Sequence, residues 1–186
     1  MTKRALYIGT LSGTSMDAID TILIDFTDQH YQVLATHHEI FPSTLRQELI
    51  NLISQNQASI PQIATLDEAI SQLTAKTVKE LLDKSQTRKE DVIAIGNHGQ
   101  TLWHAPPAFT WQLGNPNTLV TETGITTVTD FRRKDIALSG QGAPLAPLFH
   151  KRFFHSQNEN RVIVNIGGIA NITVLPTDSD KTYGLT

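Results

Sequence analysis

Leu6–Asp25, LYIGTLSGTSMDAIDTILID, is the stretch whose reading decides the fold. Leu6, Ile8 and Leu11 lead in, Ile19, Ile22 and Ile24 lead out, and Ser12, Gly13, Thr14 and Ser15 lie between them. Aliphatic and β-branched runs on either side of Gly/Ser/Thr chemistry predict two strands folded back as a hairpin. The turn carries more than turning requires. Gly9 and Gly13 allow backbone geometries that a Cβ would block, so N–H groups can converge on an anion. Thr14 and Ser15 add hydroxyl donors, and Asp17 adds a carboxylate suited to a hydrated divalent metal. Together these make a phosphate cradle with an acid beside it. Standing alone, the same residues also suit a tight turn with polar decoration, and for an isolated turn of this type that is the better reading. Two familiar cradles are excluded: GxxxxGK[ST] is absent, and the spacing Gly9-x3-Gly13 is not GxGxxG. The turn joins strand to strand, so phosphate binding by a helix N-terminus is not on offer either.

The whole chain sets the bounds. Its 186 residues suffice for one good domain and little more. Hydrophobic residues make up 39%, charged residues 18%, and the net charge is −3. That balance gives no electrostatic case for nucleic acid, and no apolar run approaches membrane-spanning length. Lys3 and Arg4 precede only a short apolar stretch, soon broken by Gly9 and Gly13, which argues against a signal peptide. Without cysteine there are no disulfides or thiolate metal sites, and the cytoplasm is the default location.

Working outward from the hairpin, Tyr31–Phe41 predicts a third strand after a turn at Asp28–His30. His37 and His38 are adjacent within it and point to opposite faces, which makes them poor joint metal ligands. Pro42–Ser43 opens a helix striped by Leu45, Leu49, Leu52 and Ile53. After a polar link, Ser59-Ile60-Pro61-Gln62 combines a capping box with proline at the first helical position. Leu66, Ile70, Leu73, Thr77 and Leu81 then follow at helical spacing. Asp91–Gly96 is a short apolar run suited to a buried central strand. Asn97-His98-Gly99-Gln100-Thr101 is expected just beyond its C-terminal end, where ligands of open α/β sheets gather. Trp103–Pro107 predicts a rim loop, Phe109–Leu113 a strand, Asn115–Thr123 a short helix ended by Gly124, and Ile125–Thr129 another strand. Asp130-Phe131-Arg132-Arg133-Lys134-Asp135 lies at the far end of that strand. It reads either as a self-neutralising surface run or, slightly favoured, as arginines placed to grip a carboxylate or phosphate. Ser139–Pro147 is a Gly/Pro-rich connector and Leu145–Phe154 a helix. Ser156–Asn160 is a polar linker and the best boundary candidate. Arg161–Leu175, RVIVNIGGIANITVL, repeats the opening theme of strand, glycine turn and strand.

Taken in order and spacing, SGTSMDAID, GNHGQT, TDFRRKDIA, GQGAPLAP and NIGGIANIT resemble the anhydro-N-acetylmuramic acid kinases of bacterial cell-wall recycling. The resemblance covers nearly the whole chain. It implies an α/β fold of the ribonuclease H-like actin/hexokinase type, with a mixed five-stranded sheet flanked by helices. Residues 1–157 would form that domain, and residues 158–186 the first strands of a second. ATP with Mg²⁺ is the implied cofactor pair. Gly13, Thr14, Ser15, Met16, Asp17, Ala18, Ile19 and Asp20 would form the nucleotide phosphate loop, with Asp17 near the metal. His98, Gln100, Thr101, Asp130, Arg132 and Arg133 would face the sugar, 1,6-anhydro-N-acetylmuramic acid, whose lactyl carboxylate gives an arginine a reason to be there. The assembly implied is a small-molecule enzyme, with a homodimer as a candidate state and no nucleic-acid or membrane partner.

Ala18 and Ser139 depart from the glycines expected of the family. A larger departure is length. Family members are about twice as long, and the aspartate of a DTGPGN motif, their catalytic base, is expected just beyond Thr186. The chain therefore reads as a fragment, inactive by itself. Two other classes remain: a non-catalytic ATP- or sugar-binding module of the same fold, and, more weakly, an actin-type filament protein.

Overall fold

The computed structural model describes residues 4–27, 31–55, 57–166, 170–178 and 181–185. Two compact units are present: residues 1–104 with 110–131, and residues 105–109 with 132–186. The boundary read at 157/158 falls inside the second unit.

The first unit grows from the opening hairpin. β1 (Leu6–Ser12) pairs antiparallel with β2 (Ala18–Asp25), Leu6 opposite Asp25 and Ser12 opposite Ile19. β3 (Gln32–Ile40) continues antiparallel on β2, as the third apolar run predicts. The turn expected at Asp28–His30 lies outside the described residues. α1 (Ser43–Gln55) and the long α2 (Ile60–Ser85) come next. α2 starts where its capping signals put it: the Ser59 hydroxyl accepts from the Gln62 N–H, and the Gln62 side chain accepts from the Ser59 N–H at 2.9 Å. β4 (Val92–Ala105) then lies parallel to β1, so the sheet is mixed in the order β3-β2-β1-β4-β5.

Alternation along β1 sends Leu6 and Ile8 into the core and leaves Leu11 46% exposed. Leu6, Ile8, Leu23, Val92 and Ile95 of the sheet pack with Ala75, Val78, Leu81 and Leu82 of α2. Ile19, Phe41, Leu49, Leu66, Ile70, Leu102 and Leu113 form a second cluster. His37 and His38 do diverge. His37 reaches α2, its Nε2 2.6 Å from Glu80 and its Nδ1 2.7 Å from the Lys84 amine, whereas His38 stays on the exposed side against Asp20 at 2.7 Å.

β4 overturns two expectations. It runs for 14 residues, straight through GNHGQT and on to Ala105, so that motif is strand and not a loop beyond a strand end. Trp103–Ala105 likewise belongs to strand, and only the residues between Ala105 and Phe109 turn before β5 (Phe109–Leu113). The extension holds because Gly99 takes φ +73° against the Leu113 backbone, where a Cβ would collide with the Leu113 carbonyl oxygen. α3 (Pro116–Thr123) is capped by Asn115 and ended by Gly124 at φ 71°. β6 (Thr127–Thr129) pairs parallel with the first half of β4. With the β4–β5 hairpin included, the sheet has six strands where five were expected.

The second unit contains most of α4 (Phe131–Ala137), then α5 (Ala146–Phe154) and a three-stranded sheet of β7 (Arg161–Ile166), β8 (Ala170–Leu175) and β9 (Tyr183–Leu185). β7 and β8 are antiparallel, as the repeated hairpin theme predicts; the glycine turn between them lies outside the described residues. α5 packs on β8, with His150 Nδ1 2.9 Å from the Thr173 hydroxyl. No helix among the described residues is long and apolar enough to cross a membrane.

Candidate functional site

Register gathers the polar residues of the first unit at one level. In the parallel pairs Thr10 lies opposite Asn97, Ser12 opposite Gln100, and Asn97 opposite Thr129. The turn after Ser12, the His98–Thr101 segment and Asp130 therefore follow one another across β1, β4 and β6. β1 and β6 end at this level, and the polar segment of the longer β4 lies between them.

Two buried side-chain pairs, Thr10 with Asn97 and Ser12 with Gln100, fix this level. The Thr10 hydroxyl donates to Asn97 Oδ1 at 2.8 Å, and the same oxygen accepts the Gly99 N–H at 3.1 Å. The Ser12 hydroxyl donates to Gln100 Oε1 at 2.5 Å, and Gln100 Nε2 donates to the Thr101 carbonyl at 3.1 Å. Gln100 is 1% exposed, and both ends of its amide are occupied within the protein. It holds the base of the turn. Thr101 accepts at 3.4 Å from Gln112. His98 Nδ1 donates to the Gly99 carbonyl at 2.9 Å, which makes Nε2 the acceptor in the neutral ring.

The turn itself is open. Thr14, Ser15 and Asp17 are exposed, and the Met16 N–H returns to the Gly13 carbonyl at 3.2 Å. Met16 takes φ 50°, and its side chain packs on the Ile19–Phe41–Leu49 cluster, pinning the turn to the core from below. Asp17 Oδ1 accepts from the Ser15 hydroxyl at 2.7 Å and from the Ala18 N–H at 3.0 Å. The Ser15 hydroxyl first, and the backbone N–H groups of Asp17 and Ala18 after it, hold the Asp17 carboxyl below the usual carboxylate range. An exposed, firmly anionic carboxylate next to exposed hydroxyls fits a hydrated divalent cation on a phosphate chain. Ala18 and Ile19 are buried in β2, so within the predicted loop Gly13–Asp17 form the accessible part; Asp20 is exposed beside His38.

Asp130 stands exposed at the end of β6 with φ 64°. Arg132 and Arg133 fall in the second unit, on α4. Arg132 is half-buried, burial lowers its pKa, and its NH1 donates to the Gly142 carbonyl at 2.9 Å. Asp135 accepts the Gly142 N–H at 2.7 Å. A Cβ on Gly140 would strike the Asp135 carboxylate. SGQG, whose composition predicts a stiff connector, thus also sets the position of the arginine-bearing helix. Arg133 is exposed.

Sequence reasoning missed Arg46 of α1, whose Nε donates to the Met16 carbonyl at 2.9 Å and NH2 to the Ser15 carbonyl at 3.4 Å. Nothing in its local sequence signals this, because the contact to Met16 spans 30 residues. Outside this level, His37, Glu39 and Glu80 offer ligand atoms within 4.8 Å of one another. Lys76 and Lys84 already fill that cluster with ammonium groups, Lys76 at 2.6 Å from Glu39, so its charge is balanced without an ion.

Three antiparallel strands, a fourth parallel to the first and a polar turn between the first two give a domain of the actin/hexokinase-like fold. Solved structures such as an Aquifex aeolicus member of the Ppx/GppA family (TM-score 0.45, 9% identity, covering 98% of this chain and 51% of that one) are too slight a likeness to add weight. The particular family is decided by sequence. The family model for anhydro-N-acetylmuramic acid kinase matches residues 5–184. A relative of that name from Shewanella baltica is 51% identical over 185 residues, covering 98% of this chain and 50% of its own length. One from Shewanella oneidensis is 48% identical with the same coverage. The chain belongs to the anhydro-N-acetylmuramic acid kinase family, and it spans about half the length of the curated relatives it matches.

Proposed function

We propose that this chain is the phosphate-loop half of an ATP-dependent kinase that phosphorylates 1,6-anhydro-N-acetylmuramic acid while water opens the anhydro ring, giving N-acetylmuramate 6-phosphate. Residues 1–157 would be its N-terminal domain and 158–186 the opening strands of the next. The observation that carries the reading is the open turn Gly13–Asp17, seated by the Ser12–Gln100 bond beside His98, Thr101 and Asp130.

ATP supplies the phosphoryl group, with Mg²⁺ neutralising its charge. Toward that pair, Thr14 and Ser15 offer hydroxyl donors and the backbone around Gly13 offers N–H groups. Asp17, kept anionic by Ser15, is the residue that would hold the divalent cation. On the sugar side, His98, Thr101 and Asp130 supply polar contacts for hydroxyl groups, and Arg132 or Arg133 pairs with the lactyl carboxylate. Gln100 contributes by holding the base of the turn. Water must lose a proton as it adds to the anomeric carbon, so the proposed reaction calls for a general base. The setting in cell-wall recycling, the cytoplasmic location and a homodimeric state belong to the same proposal.

The test is ADP release by the intact enzyme with sugar and ATP varied separately. Asp17→Asn should lower kcat and raise the KM for ATP, leaving the KM for sugar in place. Arg132→Ala or Arg133→Ala should raise the KM for sugar. Wild-type protein that binds ATP without turnover would make this a binding module of the same fold, and Asp17→Asn with unchanged kinetics would overturn the phosphate-loop assignment.

A further inference from the structure

The turn Gly13–Asp20 lacks something its proposed ligand needs. Its ionisable side chains are Asp17 and Asp20, both acids, while a nucleotide phosphate chain carries several negative charges. Hydroxyls and N–H groups give hydrogen bonds without neutralising that charge. A P-loop solves the problem with lysine, and none is present here. Among the described residues of this unit, the guanidinium of Arg46 is fastened to the turn itself.

We propose that Arg46 is a positioning residue for the phosphate loop and the source of its fixed positive charge; this rests on the nucleotide reading above. Arg46 arrives from the first turn of α1, whose Arg46 N–H bonds to the Pro42 carbonyl at 2.9 Å. Its guanidinium then bridges two successive carbonyls, Met16 at 2.9 Å and Ser15 at 3.4 Å. Those carbonyls flank the left-handed residue of the turn, Met16 at φ 50°. A non-glycine residue in that region costs about 1 kcal/mol or more and persists only where neighbours hold it. Two neighbours do so here: the core that receives the Met16 side chain, and Arg46, which ties the backbone on the other side. The consequence is an orientation. With both carbonyls turned toward α1, they are kept from facing an incoming anion.

Charge gives the second line of argument. Among the described residues, no carboxylate lies within ion-pair distance of Arg46, in contrast to Arg4, Arg88 and Arg161, each bound to an acid at 2.7–2.8 Å. Carbonyl acceptors leave its positive charge uncompensated, and the residue is exposed. An arginine fixed in place and without a counter-ion, next to hydroxyl donors, is what an anionic ligand requires and what a purely structural clamp does not. Lysine would keep the charge but could not span two carbonyls with a planar fork.

The experiment measures ADP release by the intact enzyme and, separately, binding of ATP–Mg²⁺ and of adenosine by calorimetry, for wild type, Arg46→Ala and Arg46→Lys. Loss of one charge-assisted contact predicts that Arg46→Ala raises the KM for ATP about tenfold, equivalent to about 1.4 kcal/mol. The KM for sugar and the affinity for adenosine should stay within about twofold. Arg46→Lys should recover part of the loss. Hydrogen exchange at the Met16 and Ala18 amides should quicken in both variants, since both lose the bridge. ATP binding unchanged in Arg46→Ala would overturn the inference. So would equal losses for ATP and adenosine, which would mean general damage to the fold. Wild-type protein that fails to bind ATP at all would instead sink the nucleotide reading beneath it, and the two failures are told apart by that control.

Discussion

Gln100 gives the sharpest test of how the site is seated. Its side chain is 1% exposed, and Ser12, which donates to it at 2.5 Å, is 4% exposed. Gln100→Leu preserves volume and removes the acceptor. The Ser12 hydroxyl is then left buried without a partner, at a cost of about 1–3 kcal/mol. The Thr101 carbonyl also loses its donor, but it is half-buried and water can replace the bond. A net loss of about 2 kcal/mol is expected, or about 4–8 °C in Tm for a chain of this size. Ser12→Ala should cost a similar amount, because it strands the Gln100 oxygen instead. The double variant strands neither group and should cost less than the sum of the singles, with a coupling of about 1–2 kcal/mol. Urea unfolding of the four proteins, with m checked for constancy, measures the cycle. Additive losses, or a Gln100→Leu loss under about 0.5 kcal/mol, would refute the claim that this bond seats the turn on β4.

Three further outcomes follow from local geometry. Ser139 holds φ 68°, where glycine is free of strain, so Ser139→Gly should raise stability by about 1 kcal/mol and Tm by a few degrees in a thermal melt. Gly99→Ala should do the opposite: both the φ of +73° and the Leu113 carbonyl oppose a Cβ, and a loss of at least about 2 kcal/mol is expected in the same melt. The Thr27 hydroxyl and Arg4 pull the Asp25 pKa down to about 2, so the stability it adds is full above the ordinary carboxylate range and is lost as pH falls through about 2. Asp25→Asn should therefore flatten the acid side of a stability–pH curve and leave its slope near neutrality alone.

Much of this architecture could be read locally. Leu6–Asp25 forms its hairpin because two apolar runs flank a polar turn, and a period of two needs no partner to be recognised. Ser59 with Gln62, and Asn115 with Gly124, mark helix ends through bonds and φ angles that span at most a few residues. Asp91–Gly96 could likewise be read as a central strand from its short, wholly apolar run, while its pairing with β1 is a finding of the structure. The turn at Gly13–Asp17 was likewise legible as a polar turn between two strands, since its residue types mark it locally.

What only the tertiary structure decided involves partners far away in the chain. Asn97-His98-Gly99 has turn composition, yet it is strand, because the Leu113 backbone fills the space at Gly99 and Thr10 satisfies Asn97. Gln100 reads as a ligand contact until Ser12, 88 residues earlier, is found at its amide oxygen. Arg46 looks like one more exposed helix residue until the fold brings Met16 beneath it. Composition and periodicity determine which segments become strands, helices and turns, because those preferences are settled within a few residues. The direction a polar side chain faces, and whether it serves a ligand or a neighbour, is settled by whichever group the packed chain places within hydrogen-bond reach.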